Sequence, residues 1–392
     1  MYVCGRGTHG YGSVLPTLYQ AQKDYDIIDC VSVCATSRKS IEEFLSKKND
    51  LDRKFNMRLL IECWPKQGIN PEAYIEAIAK SPDNFDCAIV VVPDHQHFKI
   101  AETVLKAGIH LLIVKPFVTE VNHAVDLIKL AVRKNLYGSV EFHKRFDYAN
   151  IKLRDELKKG LIGNILYFHV EYSQRKSIPE SFFSGWSEKT NVFQYLGVHY
   201  VDLIYFLTGA LPTRVLATGQ KEWLIKKKID TYDAMEVLIE WELEGNCFIS
   251  THLTNWIDPN TTSAMSDQKI KVVGTEGRIE SDQKNRGIQI VTDQRGIEDF
   301  NPYFSQFYRS DDENNEVFRG YGYEGFSSFL RDVQSIKHGD VKIEELEGLR
   351  PTIRSSLVST SVVEAANESL LHDNSWFEID STLFRKYLKP DK

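Results

Sequence analysis

At 392 residues, with 42% hydrophobic and 26% charged side chains, the chain is sized for two domains and composed like an ordinary globular protein. A net charge of −7 and a pI near 5.9 exclude a protein built to ride on phosphate backbones or anionic membranes. No apolar run approaches the roughly 20 residues of a membrane span. Met1-Tyr2-Val3-Cys4 leads straight into glycines rather than into a signal peptide, so a cytoplasmic location is expected.

Val3-Cys4 followed by Gly5-Arg6-Gly7-Thr8-His9-Gly10 has the form G-x-G-x-x-G, entering a helix with apolar residues at Val14, Leu15, Leu18 and Ala21. Glycines there allow a tight turn and a close approach of backbone to a pyrophosphate, which makes Gly5, Gly7, Thr8, His9 and Gly10 candidates for a dinucleotide. The strand before them has only about four residues, so either the start is cut short or the first strand is very short. Ile27 to Ala35 reads as the second strand, ending where such a fold reads the ribose. An Asp or Glu at that place would accept the 2′-hydroxyl of NAD; this chain instead has Thr36, Ser37 and Arg38. Hydroxyls and a guanidinium suit a 2′-phosphate, so the sequence leans towards NADP over NAD. The competing reading makes Arg38 and Lys39 the lead-in to a helix with a capping box at Ser40 to Glu43.

Leu59 to Glu62 is a third strand, Pro71 to Ala79 a helix, and Phe85 to Val92 a buried strand broken by Pro93. Asp94-His95-Gln96-His97 follows, then a helix from about Phe98 to Ala107 that Gly108 closes. His110 to Val114 is another buried strand, and Lys115 stands at its carboxyl end before Pro116. An isolated Lys-Pro reads as a solvated lysine. In an open parallel sheet, however, ligands bind beyond the strand carboxyl ends, and this lysine would face them. A helix over 121–134 and a strand, Ser139 to Phe142, complete a doubly wound parallel sheet, the dinucleotide-binding domain of residues 1–143.

Residues 144–392 change character. After a helix from Ala149 to Lys159 and one around Phe193 to Leu207, alternating strands with Gly turns run from Val215 to about Ile290. The expected second domain is α+β, with a large, mostly antiparallel open sheet. Helices over 324–337 and 355–371 finish it. The six cysteines, at 4, 30, 34, 63, 87 and 247, form no Cys-x-x-Cys pair. Cys30 and Cys34 would be roughly 13 Å apart in one strand, so buried, reduced thiols are expected.

Several segments in order give the chain its resemblance to the Gfo/Idh/MocA family of oxidoreductases. They are the glycine loop, Val92-Pro93 with His97 four residues on, Ala107-Gly108, Lys115-Pro116, Gly160-Leu161-Ile162-Gly163 and Gly197-Val198-His199-Tyr200-Val201-Asp202. The resemblance implies a Rossmann domain followed by a sheet that builds a sugar site and an oligomer interface, hence a homodimer or homotetramer. It implies hydride transfer between a nicotinamide and a secondary alcohol or ketone of a sugar, cyclitol or nucleotide-sugar. It makes Lys115 the active-site lysine, His199 the proton-transfer histidine, and Pro93 and His97 neighbours of the nicotinamide. Two positions depart from the family: Val114 stands where the family usually has Glu, and Tyr195 where it often has Asp. Tyr195 retains a hydroxyl that can orient an oxygen or protonate an alkoxide.

For the substrate the candidates are Lys144, Arg145, Arg175 and Asp202, with Tyr172 and Trp256 as stacking faces; Lys176, Asn255 and Arg286 are weaker. His-x-His at His95 and His97 has no third ligand nearby, so no metal site is expected. No nucleic-acid or membrane partner is expected either. The alternatives are a cofactor-binding sensor that has lost catalysis, or an NAD-dependent reductase of a non-sugar carbonyl.

Overall fold

The computed structural model describes residues 2–4, 10–80, 85–183, 185–309 and 316–388. They form two compact units, one of Met1–Phe117, His123–Phe146 and Phe304–Ser355, the other of Val118–Asn122, Asp147–Tyr303 and Ser356–Lys392.

In the first unit strands and helices alternate as β1 (Tyr2–Cys4), α1 (Leu15–Tyr25), β2 (Val31–Cys34), α2 (Arg38–Phe55), β3 (Ile61–Trp64), α3 (Ala73–Lys80), β4 (Cys87–Val91), α4 (His97–Lys106), β5 (His110–Val114), α5 (Val121–Arg133) and β6 (Gly138–Glu141). The strands order as β3-β2-β1-β4-β5-β6 and every pair is parallel. The order reverses between β1 and β4, so the crevice of a doubly wound sheet opens at their carboxyl ends. Strands such as Val31–Cys34 are buried on both faces, which is why they read as continuous apolar runs rather than alternating ones. Helix α2 begins earlier than its sequence suggests. Its cap is Ser37, whose Oγ accepts from the Ser40 amide at 3.2 Å, and Arg38 is its first residue rather than part of a lead-in.

The second unit begins with α6 (Tyr148–Lys158), capped by Asp147, and continues through β7 (Ile165–Arg175), α7 (Val198–Thr208), β8 (Leu211–Gln220), the single turn α8 (Trp223–Lys226), β9 (Ala234–Leu243), β10 (Asn246–Asp258), β11 (Ser266–Gly274) and β12 (Arg278–Asp282). A hairpin of β13 (Ile288–Thr292) and β14 (Gly296–Phe300) follows. The main sheet runs β12-β11-β7-β10-β9-β8-β17, where β17 is Phe377–Glu378. It is antiparallel except for β7 and β10, which pair in parallel. Along β10 burial alternates strictly, with Phe248, Ser250, His252, Thr254 and Trp256 inward, the pattern of a sheet with one covered face.

The chain then returns to the first unit. The strands β15 (Gln306–Arg309) and β16 (Glu316–Arg319) pair with each other, and α9 (Tyr321–His338) packs on α1. Phe326, Phe329 and Val333 join the core of the parallel sheet, each worth about 1.5–3 kcal/mol when fully buried. The Phe318 amide donates to Gln20 Oε1 at 2.7 Å, and the Tyr323 hydroxyl donates to Asp24 at 2.7 Å. Helix α10 (Leu357–Leu371), packed on β8 and α7, and α11 (Ser381–Tyr387) close the second unit. Of the cysteines expected to be buried, Cys30 and Cys247 are exposed and free; the ends of β2 and the β9–β10 turn leave them uncovered. Among the described residues no helix is long and apolar enough to cross a membrane.

Candidate active site

In the first unit the candidate groups collect where three neighbouring strands end. Asp94 follows β4, Lys115 follows β5, and Glu141 is the last residue of β6. All are buried, Lys115 at 7% exposure, Asp94 at 5% and Glu141 at 2%. Burial pulls the Lys115 amine down from its usual range to about 7, against the charges of Glu141 and Asp94, which favour the ammonium. A lysine so placed exchanges its proton near neutral pH.

His97 is fully buried and ties two of these strand ends together. Its Nδ1 lies 2.7 Å from the Pro116 carbonyl and its Nε2 lies 3.0 Å from the Val92 carbonyl. Burial lowers its pKa, so the imidazole is held neutral. Its single N–H donates to one of these two carbonyls, and the ring packed between them shapes the turn that carries Lys115 and Pro116. That is a structural basis for its place in the motif.

Glu141 is the residue that the sequence reading missed. His143 Nδ1 donates to Glu141 Oε1 at 2.8 Å; a carboxylate accepts only, so the ring proton is on Nδ1. The His143 ring stacks on Tyr321 at 5.7 Å and meets Phe304 edge-on at 5.2 Å. The signal was available, since a glutamate in the buried run Ser139-Val140-Glu141-Phe142 is as anomalous as a lysine at the end of β5.

Gly5, Gly7, Thr8 and His9 lie outside the described residues. Gly10 opens the single wide turn Gly10–Val14 that feeds α1. At the end of β2, Thr36 and Ser37 lead into α2, and Arg38 makes a long 3.7 Å contact with Glu42 while remaining 37% exposed. No carboxylate occupies residues 35–38, and Ser37 Oγ shares its cap with Ser40 Oγ at 3.0 Å. Hydroxyl and guanidinium donors at this strand end fit the ribose side of a dinucleotide. Lys144 and Arg145 are buried in the turn His143–Phe146, and Arg145 donates to the Arg350 carbonyl at 3.5 Å.

The second unit holds the other candidates. A wide helical turn, Phe193–Gly197, runs directly into α7 and puts Tyr195 one turn before His199. Polar side chains pin that turn: Asn191 Oδ1 accepts from the Gln194 amide at 2.8 Å, and Asn367 of α10 bonds both Asn191 at 2.8 Å and Gln194 at 3.1 Å. Such π-type turns recur at functional sites because they re-aim side chains within a helix. Tyr195 stands in an aromatic cluster, 4.7 Å from Phe183, 5.9 Å from Trp186 and 5.8 Å from Trp256 between ring centroids. His199 is 4% exposed with the Tyr172 ring at 6.2 Å, and Asp202 is buried one turn on.

Several sequence candidates have other work. Trp256 is fully buried and donates to Gln174 at 3.3 Å, so its indole is packing rather than an open stacking face; an inward strand position buries an aromatic whatever its chemistry. Tyr172, also inward, packs edge-on against Tyr200 at 5.9 Å. Arg175 bonds Thr262 through Oγ1 at 3.2 Å and through its carbonyl, and the Ala264 carbonyl at 3.1 Å, which ties down the loop before β11. Arg286 clamps the Asp147 carboxylate at 3.0 and 2.6 Å, and Asn255 donates to Ser173 at 2.6 Å. Lys176 lies over the Trp223 ring at 3.8 Å.

Comparison with known proteins agrees with this layout. A model described as "Oxidoreductase family, NAD-binding Rossmann fold" matches residues 1–142, and one described as "GFO/IDH/MocA C-terminal domain" matches residues 151–280. UDP-N-acetylglucosamine 3-dehydrogenase of Acidithiobacillus ferrooxidans is 33% identical over 134 residues, covering 34% of this chain and 39% of that protein. Inositol 2-dehydrogenase of Rhizobium meliloti is 23% identical over 222 residues, 56% of this chain and 63% of that one. The chain thus matches less than two thirds of the length of these curated relatives. Among solved structures, scyllo-inositol dehydrogenase of Lactobacillus casei with NAD(H) and scyllo-inositol superposes with a TM-score of 0.66 at 16% identity, covering 96% of this chain and 98% of that one, a likeness of fold.

Proposed function

The chain belongs to the Gfo/Idh/MocA family of NAD-binding oxidoreductases, and on that premise we propose that it oxidises a secondary alcohol, or reduces the matching ketone, on a cyclitol, sugar or nucleotide-sugar. The observation that carries this reading is Lys115: a buried amine titrating at about 7, at the carboxyl end of a strand in a doubly wound sheet, beside two carboxylates. The names of the relatives, an inositol dehydrogenase and a UDP-sugar dehydrogenase, support the substrate class.

A bound nicotinamide supplies the hydride acceptor or donor. Lys115 polarises the reacting oxygen through its ammonium and stabilises the alkoxide that develops there. His199 takes the hydroxyl proton during oxidation and returns it during reduction, since an imidazole changes charge near neutral pH. The Tyr195 hydroxyl orients the same oxygen. His97, beside the nicotinamide, fixes the turn that aims Lys115. Asp202 orients the segment around His199. Gly5, Gly7, Thr8, His9, Gly10, Thr36, Ser37, Arg38 and Pro93 form the dinucleotide surface, with NADP preferred because Arg38 stands where a ribose-reading acid would repel a 2′-phosphate. A homo-oligomer through the main sheet fits its outer face, where Tyr167 and Ile249 are paired in register and exposed at 42% and 41%.

Fluorescence titration with NADPH and NADH, followed by turnover on a panel of inositols, sugars and UDP-sugars, tests the reading. Tighter NADPH binding with turnover on at least one member supports it. Tight binding without turnover on any alcohol or ketone replaces it with a cofactor sensor, and tighter NADH binding with turnover only on non-sugar carbonyls replaces it with an NAD-dependent reductase.

A further inference from the structure

Buried Lys115 needs negative charge to remain an ammonium, and the residue before it, Val114, is apolar. The strand register shows where that charge comes from. β5 and β6 are parallel with Val114 directly opposite Glu141, so these two side chains leave the sheet on one face at one level. On that face α9 closes over the pair through Gly325: a Cβ added there would lie 3.3 Å from Glu141 Oε1 and 3.5 Å from His143 Cβ. A glycine at this helix position therefore leaves room for the carboxylate, and the His143 Nδ1–H at 2.8 Å fixes its orientation.

We propose that Glu141, set on the strand beside the lysine's own and held by His143 beneath Gly325, is the positioning residue that keeps Lys115 charged. The lysine's protonation is thus governed from β6 rather than by its neighbour in sequence. The charges that act on Lys115 are Asp94 from the turn after β4 and Glu141 from the end of β6; behind them stand His143, bonded to Glu141, and the neutral His97 of α4, against the Pro116 carbonyl. Asp94 also acts, but its Oδ1 accepts the His95 amide at 2.8 Å, which spends part of its charge on capping a turn.

This inference rests on Lys115 being the polarising group, but its test does not need turnover. Competitive acetylation of the full chain by acetic anhydride, with the Lys115 peptide quantified by mass spectrometry between pH 5 and 10, reads the fraction of free amine directly. Glu141→Gln is expected to move the labelling midpoint down by about one unit, making Lys115 roughly tenfold more reactive at pH 6, since an opposing charge at close range is worth 1–3 units. Val114→Glu combined with Glu141→Gln is expected to move it back, because the register returns a carboxylate to the same face. An unmoved midpoint in Glu141→Gln, or no return in the double variant, overturns the proposal. If Glu141→Gln does not fold, His143→Gln carries the test: a smaller downward shift supports the proposal and an unmoved midpoint overturns it. Midpoints that move as expected in a protein without turnover on any alcohol or ketone would leave Glu141 assigned and remove the dehydrogenase reading alone.

Discussion

In the first unit Asp94, Lys115, Glu141 and His143 gather charge at the carboxyl ends of three neighbouring parallel strands, whereas in the second His199 and Tyr195 stand one helical turn apart among aromatic rings. The first arrangement joins residues 47 positions apart, from Asp94 to Glu141, because a parallel sheet sends every strand end to the same edge. The second joins residues adjacent on a helix and leaves their surroundings to whatever the antiparallel sheet turns inward. Charge in the first unit is set by partners; orientation in the second is set by packing and by the Asn191–Gln194–Asn367 network.

Lys115→Met is the strongest way to break the comparison, because it separates what the lysine does from what it costs. Turnover is expected to fall by about three orders of magnitude or more, with cofactor binding by fluorescence nearly unchanged. Stability is expected to move the other way. The native amine titrates at about 7 and the unfolded one near 10.5, so between these values the unfolded chain binds more protons and native stability rises with pH. Below pH 7 the burial penalty is fully present, and Met there should stabilise by on the order of a few kcal/mol in urea unfolding. That gain should vanish as the pH approaches 10.5. A gain that does not depend on pH would mean that the lysine holds its proton as tightly in the fold as in the unfolded chain.

His199→Ala addresses the second unit. It is expected to lower kcat by about 10²–10⁴, and because the imidazole sits at 4% exposure its removal should also cost about 1–3 kcal/mol in urea unfolding. His97→Ala should lower stability with little direct effect on the chemistry. One backbone carbonyl, that of Pro116 or Val92, loses its donor at about 1–3 kcal/mol, and urea unfolding should detect the loss. If His97→Ala lowers kcat without lowering stability, His97 belongs to the chemistry and not to the turn.

How much of this was legible follows from the same physics. The Rossmann strands, the Lys115-Pro116 exit and the helix around His199 announce themselves through local pattern: apolar runs, a misplaced charge, a 3.6-residue period. Helix α9 has an amphipathic face too, but a face does not name its partner, and no local pattern signals that Phe326 and Phe329 belong to the core of the first unit. Trp256 and Tyr172 read as sugar platforms because an aromatic ring has the same composition in a core and in a cleft; strand alternation put them inside. Arg175 and Arg286 read as anion binders, and they do bind oxygens, but those of a loop and of a helix cap. Val114 read as the loss of an acidic neighbour. The carboxylate was one strand away, in a register that only pairing reveals.

The smallest effect expected is at the end of β2, and it sharpens the distinction between charge set by partners and charge left in solvent. Arg38 is exposed, and its contact with Glu42 is long, so the guanidinium is not committed to the fold. Removing it as Arg38→Ala should leave the unfolding midpoint within about 0.5 kcal/mol of the parent. The same change should weaken NADPH binding about tenfold, equivalent to about 1.4 kcal/mol, while leaving NADH binding unchanged, because a 2′-phosphate accepts the charge-assisted bonds that a 2′-hydroxyl does not need. Equal weakening of both cofactors would assign Arg38 to the shared part of the dinucleotide. No weakening of either would return Thr36-Ser37-Arg38 to the role of a helix start, with Ser37 as its cap and nothing more.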